Sequence, residues 1–134
     1  MGLNGYALQT EINTEIVSAY AASQQDIPAV LAAPGWYTFA EFYLGKTVKC
    51  RLELIASVSH VSLAGTARLY DPTLGIDAPV SGTDTPFASL TSDRFLSGIV
   101  TLTGLRRYLI QAQCVGAVGL DKFATVQTAS LGGV

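Results

Sequence analysis

Lys46-Thr47-Val48-Lys49-Cys50-Arg51-Leu52-Glu53-Leu54-Ile55-Ala56-Ser57 is the stretch that decides the fold. Val48, Cys50, Leu52, Leu54 and Ala56 fall on one side of a pleated strand. Lys49, Arg51, Glu53 and Ser57 fall on the other, and only Ile55 breaks the pattern. Successive side chains of a strand point to opposite faces, so this is a half-buried strand with one core face. Upstream, Trp36 to Leu44 reads as an aromatic strand, entered through the turn signal Pro34-Gly35 and broken by Gly45. Read as a hairpin, a two-residue turn would set Glu41 opposite Cys50, a lone carboxylate in a core. A three-residue loop instead sets Glu41 opposite Lys49 and turns Trp36, Ala40 and Phe42 inward. Tyr37, Phe39 and Tyr43 are then left on an outer face beside Lys49, Arg51 and Glu53, with Arg51 close enough to Phe39 for a cation–π contact.

The same alternation recurs along the chain. Val61, Leu63, Gly65, Ala67 and Leu69 predict a strand from about His60 to Tyr70, stopped by Asp71-Pro72. Thr73 to Ser92 is rich in Gly, Pro and small polar residues and predicts short edge strands near Val80 and Phe87 to Leu90. Val100 and Leu102 alternate with threonines, and Tyr108, Ile110, Ala112 and Cys114 alternate with polar partners. Between them, Leu102 to Tyr108 fits either a tyrosine corner or an ordinary hairpin. Phe123 to Leu131 supplies a last strand. Leu8, Ile12, Ile16 and Tyr20 recur at helical spacing, while Ile12, Thr14, Ile16, Ser18 and Tyr20 share one strand face, and the β-branched content favours an extended arm. Many short strands separated by turns predict an all-β protein: a single β-sandwich of jelly-roll or Greek-key type over 23–134, with residues 1–22 as an N-terminal arm or first strand.

The 134 residues suffice for one domain and one core. Charged residues are 13% of the chain, against roughly 25% in an average soluble domain. So apolar and charge-poor a surface expects protein company. The formal charge of −2 and the single basic pair, Arg106-Arg107, argue against nucleic acid. The most apolar run, Ala29 to Ala40, is broken by Pro34-Gly35, well short of the roughly 20 residues a membrane helix needs. No export leader is visible at Met1, so Cys50 and Cys114 are expected as buried free thiols.

Chemistry is sparsely signalled. His60, the only histidine, sits between strands and reads as a turn residue. Asp71, Asp77, Asp84 and Asp93 stand beside Gly, Pro and Thr, the setting of turn formers rather than calcium ligands. No phosphate loop, nucleophile elbow or zinc spacing occurs, so neither an enzyme nor a cofactor or metal is expected. Tyr37, Phe39 and Tyr43 can pack against a sister subunit, fill the core or stack on sugar rings.

The segment Pro34-Gly35-Trp36-Tyr37-Thr38-Phe39, followed by the strand Val48 to Leu54, resembles the Pro-Gly-x-Tyr-x-Phe segment of trimeric complement-type and tumour-necrosis-factor-type heads. The chain as a whole resembles small virion proteins of tailed phages: charge-poor, rich in Ala, Ser, Thr and Gly, with an extended N-terminus before a sandwich. Capsid decoration, or cement, proteins are the nearest of these. That resemblance implies a non-enzymatic protein located in the virion and assembled in the host cytoplasm. It would form a trimer or dimer and bridge subunits of the major capsid protein. Tyr37, Phe39, Tyr43 and Arg51 would make the subunit interface, and Leu8, Ile12, Ile16 and Tyr20 the attachment arm. The other reading is a carbohydrate- or receptor-binding head, such as part of a tail tip.

Overall fold

A computed structural model of the chain describes residues 21, 22 and 24–133. In chain order the strands are β1 (Ala21–Ala22), β2 (Gln25–Pro28), β3 (Tyr37–Leu44), β4 (Val48–Val58), β5 (Ala64–Asp71), β6 (Ala78–Pro79), β7 (Thr85–Phe87), β8 (Asp93–Leu96), β9 (Val100–Leu102), β10 (Arg106–Val115) and β11 (Phe123–Gly133). Their pairings nest. β2 pairs with β11, β3 with β10, β4 with β8 and β9, and β5 with β6 and β7, all antiparallel. Lateral pairings of β11 with β4 and of β10 with β5 then close a six-stranded and a five-stranded sheet. A long hairpin of nested strand pairs, wound so that its halves face each other, is a jelly roll. The all-β sandwich expected from the sequence is therefore the observed fold. The arm residues Leu8, Ile12, Ile16 and Tyr20 lie outside the described residues; Ala21 and Ala22 pair with Ser130 and Ala129.

The core lies between the sheets. Val48, Cys50, Leu52, Leu54 and Ala56 of β4 face Ala67 and Leu69 of β5 and Tyr108, Ile110, Ala112 and Cys114 of β10, all buried as their alternation predicts. The expected β3–β4 hairpin is not formed. β3 belongs to the five-stranded sheet and β4 to the six-stranded one, so Gly45 to Thr47 is a crossing between layers. Glu41 faces solvent as expected, but its neighbour is Arg107 on β10, at 3.2 Å, rather than Lys49. Val61 is likewise no strand residue: β5 starts only at Ala64 and Val61 is exposed. Asp93, expected in a turn, opens β8.

A second crossing, from β9 to β10, lies against the first. Gly104 donates its N–H to Thr47 Oγ1 at 3.0 Å, and Leu105 donates to Leu44 O at 2.6 Å. A Cβ on Gly104 would collide with the backbone of Lys46 and Thr47, which is why glycine stands there. Tyr108 donates its hydroxyl to Thr103 O at 2.9 Å and stacks on Phe42. This is the tyrosine-corner arrangement, with the hydroxyl bonded to backbone where the chain changes sheets; the hairpin alternative falls away.

Beside the corner, Asp71 ends β5 with its carboxylate 6% exposed. Its Oδ2 accepts from Arg106 at 3.0 Å and its Oδ1 from the Thr73 N–H at 3.0 Å. Burial pushes this carboxyl up, but the hydrogen bonds from Thr73 and the adjoining guanidinium outweigh it and hold it below the usual carboxylate range. A folded pKa below the unfolded one stabilises the fold above the ordinary range, and that contribution disappears as pH falls through the folded value. Arg106 is about a third exposed and partly screened. Asp71→Asn should therefore cost about 2 kcal/mol in urea unfolding at neutral pH. The difference from the parent should shrink once the pH drops below about 4.

Cys50 and Cys114 are both buried and free, as expected. Burial pushes the Cys50 thiol up to about 11 and raises Cys114 as well. Only the thiolate reacts. A thiol reagent at neutral pH should leave the native protein unlabelled and label both cysteines on denaturation; native labelling of either would contradict this core.

Candidate functional site

The outer face of the five-stranded sheet is built in rows by strand register. Thr38 of β3, Gln111 of β10 and Arg68 of β5 stand side by side. They are joined by hydrogen bonds, Gln111 Nε2 donating to Thr38 Oγ1 at 2.9 Å and Arg68 Nε donating to Gln111 Oε1 at 2.9 Å. In the row below, Tyr70 stands beside Leu109, opposite Glu41. In the row above, Gln113 pairs with Thr66 and takes the Gly35 N–H at 2.8 Å. The Arg68 guanidinium carbon lies 3.8 Å from the Trp36 ring centroid and 5.2 Å from that of Tyr70. Tyr70 donates its hydroxyl to Asp77 Oδ1 at 2.8 Å, a bond that raises the phenol above its ordinary range.

The aromatic row expected on this face is not present. β3 and β10 lose register between Ile110 and Gln111, so Ala40 sits opposite Ile110, Thr38 opposite Gln111, and Phe39 is the extra residue of a bulge. Phe39 and Ala40 pack against the core. Trp36, expected inside, is instead half-buried against Arg68. Tyr37 is exposed and Tyr43 half-exposed on β3, whereas Arg51 lies on β4 in the other sheet, so no Arg51–Phe39 contact forms. The Nε of Arg51 is buried without a hydrogen-bond partner. Sequence reading missed the Trp36–Arg68–Tyr70 cluster. Its signal was present in Arg68 and Tyr70 alternating with buried Ala67 and Leu69, but their neighbours across the sheet were not.

A second surface lies at one end of the sandwich, where the loops 29–36, 59–63, 88–92 and 116–122 meet. They are tied to one another. Val30 donates to Cys114 O at 2.9 Å and Gly116 to Val30 O at 2.9 Å. Ser59 Oγ donates to Asp121 O at 2.6 Å and accepts from the Phe123 N–H at 2.9 Å, and Val58 donates to Ser89 O at 2.8 Å. On this braced end Leu31, Val61, Leu90, Val118 and Leu120 are exposed. His60 is there too, its Nδ1 taking the Ser62 N–H at 3.1 Å, so it closes the turn as expected. Beside it Asp121 is held below the usual carboxylate range, chiefly by its hydrogen bond with Lys122.

Among the described residues no group of three or more His, Cys, Asp or Glu side chains converges as metal ligands would. No protein-family model and no curated protein matches the chain.

The bulge separates two neighbouring aromatics of β3. Phe39→Ala should destabilise the domain by about 1–2 kcal/mol, since it removes a ring packed on the core, while Tyr43→Ala should stay within about 0.5 kcal/mol. Equal effects in thermal or urea unfolding would contradict the placement of Phe39.

Proposed function

We propose that this chain is a non-enzymatic virion structural protein that decorates a phage capsid as a trimer or dimer and cements it by bridging neighbouring shell subunits. The observation that carries this reading is the braced loop end with its exposed Leu31, Val61, Leu90, Val118 and Leu120. Aliphatic side chains at the tips of mutually hydrogen-bonded loops are preorganised for contact with another protein, so little ordering entropy is lost on docking. The low charge content supports the same reading, because interface cores are depleted in charged residues.

Burying one exposed leucine or valine contributes about 1.5–3 kcal/mol. Association costs about 4–15 kcal/mol in lost rigid-body freedom, so a single loop end gives a weak contact. An oligomer presenting several such ends, with residues 1–22 as additional attachment arms, raises the effective concentration of each contact and holds the shell by their combination.

Co-sedimentation with phage shells tests this. The parent chain should sediment alone as a trimer or dimer and pellet with shells. The triple variant Leu31→Asp, Val61→Asp and Leu120→Asp should keep its oligomeric state and thermal transition but lose shell binding by about tenfold or more. A monomeric parent, or a variant that pellets like the parent, would overturn the proposal.

A further inference from the structure

Three arginines project from the five-stranded sheet, and two of them are neutralised. Arg106 is bonded to Asp71 and Arg107 to Glu41. Arg68 makes no ion pair among the described residues, yet it is the most closely held of the three. One aromatic ring lies 3.8 Å from its guanidinium carbon and another 5.2 Å. Its Nε is fixed by Gln111, which is itself only 8% exposed and anchored on Thr38. A guanidinium carries five N–H donors in a rigid planar fork. The network uses one of them, and no hydrogen bond from Nη1 or Nη2 is made among the described residues. A cation held flat, partly dehydrated and with its bidentate edge open matches a planar anion.

We infer that this face holds a binding site for a sugar bearing a carboxylate, with Arg68 as the residue that takes the acid group. The surroundings select within the anions. Asp84 follows β6 and precedes Thr85, the partner of Ala67, so its charge stands near Arg68. That fixed negative charge penalises a doubly charged phosphate more than a singly charged carboxylate. A cleft of about 370 Å³ adjoins this row, lined by Pro79, Val80, Ser81, Gly82 and Asp84. Pro79 is the cross-strand partner of Tyr70, which brings the cleft beside the stack. Its volume is at the small end of the roughly 300–1,000 Å³ of small-molecule sites, the scale of a single ring rather than an extended chain. Ser81 and the Asp84 carboxylate offer hydrogen-bonding partners for ring hydroxyls, and Pro79 and Val80 an apolar wall for a C–H face. An acidic peptide fits less well: β5, which carries Arg68, is paired by β10 on one side and by β6 and β7 on the other, which leaves little free backbone edge beside Arg68 for strand addition.

The full chain contains a single tryptophan, and its ring lies against Arg68, so Trp36 fluorescence is the one indole signal and responds to occupation of this site. Titration with glucuronate and with N-acetylneuraminate should change that emission saturably for at least one of them, and titration with glucose should not. R68K keeps the charge but loses the fork, and should weaken the acidic sugar by about tenfold or more. The parent settles the matter even if R68K fails to fold. An acetylated glutamate peptide, used as competitor, should displace the sugar only at far higher concentration. Absence of any saturable response to either acidic sugar, an equal response to glucose, or an undiminished response in folded R68K overturns the inference. A peptide that binds as tightly as the sugars overturns the ligand class. Trp36 ends the loop 29–36 of the braced end, but Leu31, Val61 and Leu120 are not among the groups that hold Arg68, so the triple loop variant should still bind the acidic sugar saturably whichever way the shell experiment falls.

Discussion

The close approach of Gly104 to the Lys46–Thr47 backbone is the contact on which the rest of the molecule depends. Two crossings between sheets, β3 to β4 and β9 to β10, can lie against each other only if one of them lacks a side chain at that point. Their contact places Phe42 over Tyr108 and aims the tyrosine hydroxyl at Thr103 O. It also fixes β3 alongside β10. Without that alignment the row Thr38–Gln111–Arg68 would not assemble, and the guanidinium would have neither its amide partner nor the Trp36 ring. A backbone constraint inside the fold thus determines the chemistry presented on its outside.

The two faces of β5 handle charge in opposite ways. Asp71 is enclosed, and its carboxylate survives burial because Arg106 and the Thr73 N–H both meet it. Removing either partner would leave an uncompensated buried charge, the costly case for ion pairs. Arg68 lies on the solvent side, three residues away, where aromatic rings and an amide hold it in place and Asp84 stands near it without forming an ion pair. Position can be fixed by uncharged groups while charge is left available, and a binding group needs that division.

Alternation made the strands legible and left their partners hidden. Val48 to Ala56 and Tyr108 to Cys114 show their buried faces in the sequence because the strand period is 2. Neighbouring strands pair in most folds, which favoured a β3–β4 hairpin. A jelly roll pairs by nesting instead, so β3 meets β10 from the far side of the chain, with Phe42 opposite Tyr108. Phe39 illustrates the cost of that missing information. Strict alternation turned it outward with Tyr37 and Tyr43, but whether a residue is the extra one of a bulge depends on the partner's register. For the same reason the Trp36–Arg68–Tyr70 cluster was beyond reach: Arg68 and Tyr70 share β5, but Trp36 stands just before β3 and the amide, Gln111, comes from β10.

The positions of the exposed aliphatic residues follow from the same economy. In a chain with so few charges, Thr, Gln and Ser share the sheets' outer faces with a few charged residues such as Lys49 and Arg107, at the even spacing of regular strands. Loops have no such spacing, and their backbone needs partners that water or neighbouring loops must supply. At the end where 29–36, 59–63, 88–92 and 116–122 meet, the loops satisfy one another through Val30, Ser59 and Gly116. Backbone groups spent on bracing are not spent on solvent, and the side chains left at the tips are Leu31, Val61 and Leu120. A monomer selected only for solubility gains nothing from rigid apolar tips. A module whose loop end is to be covered gains from them twice, in the area buried and in the entropy already removed before contact.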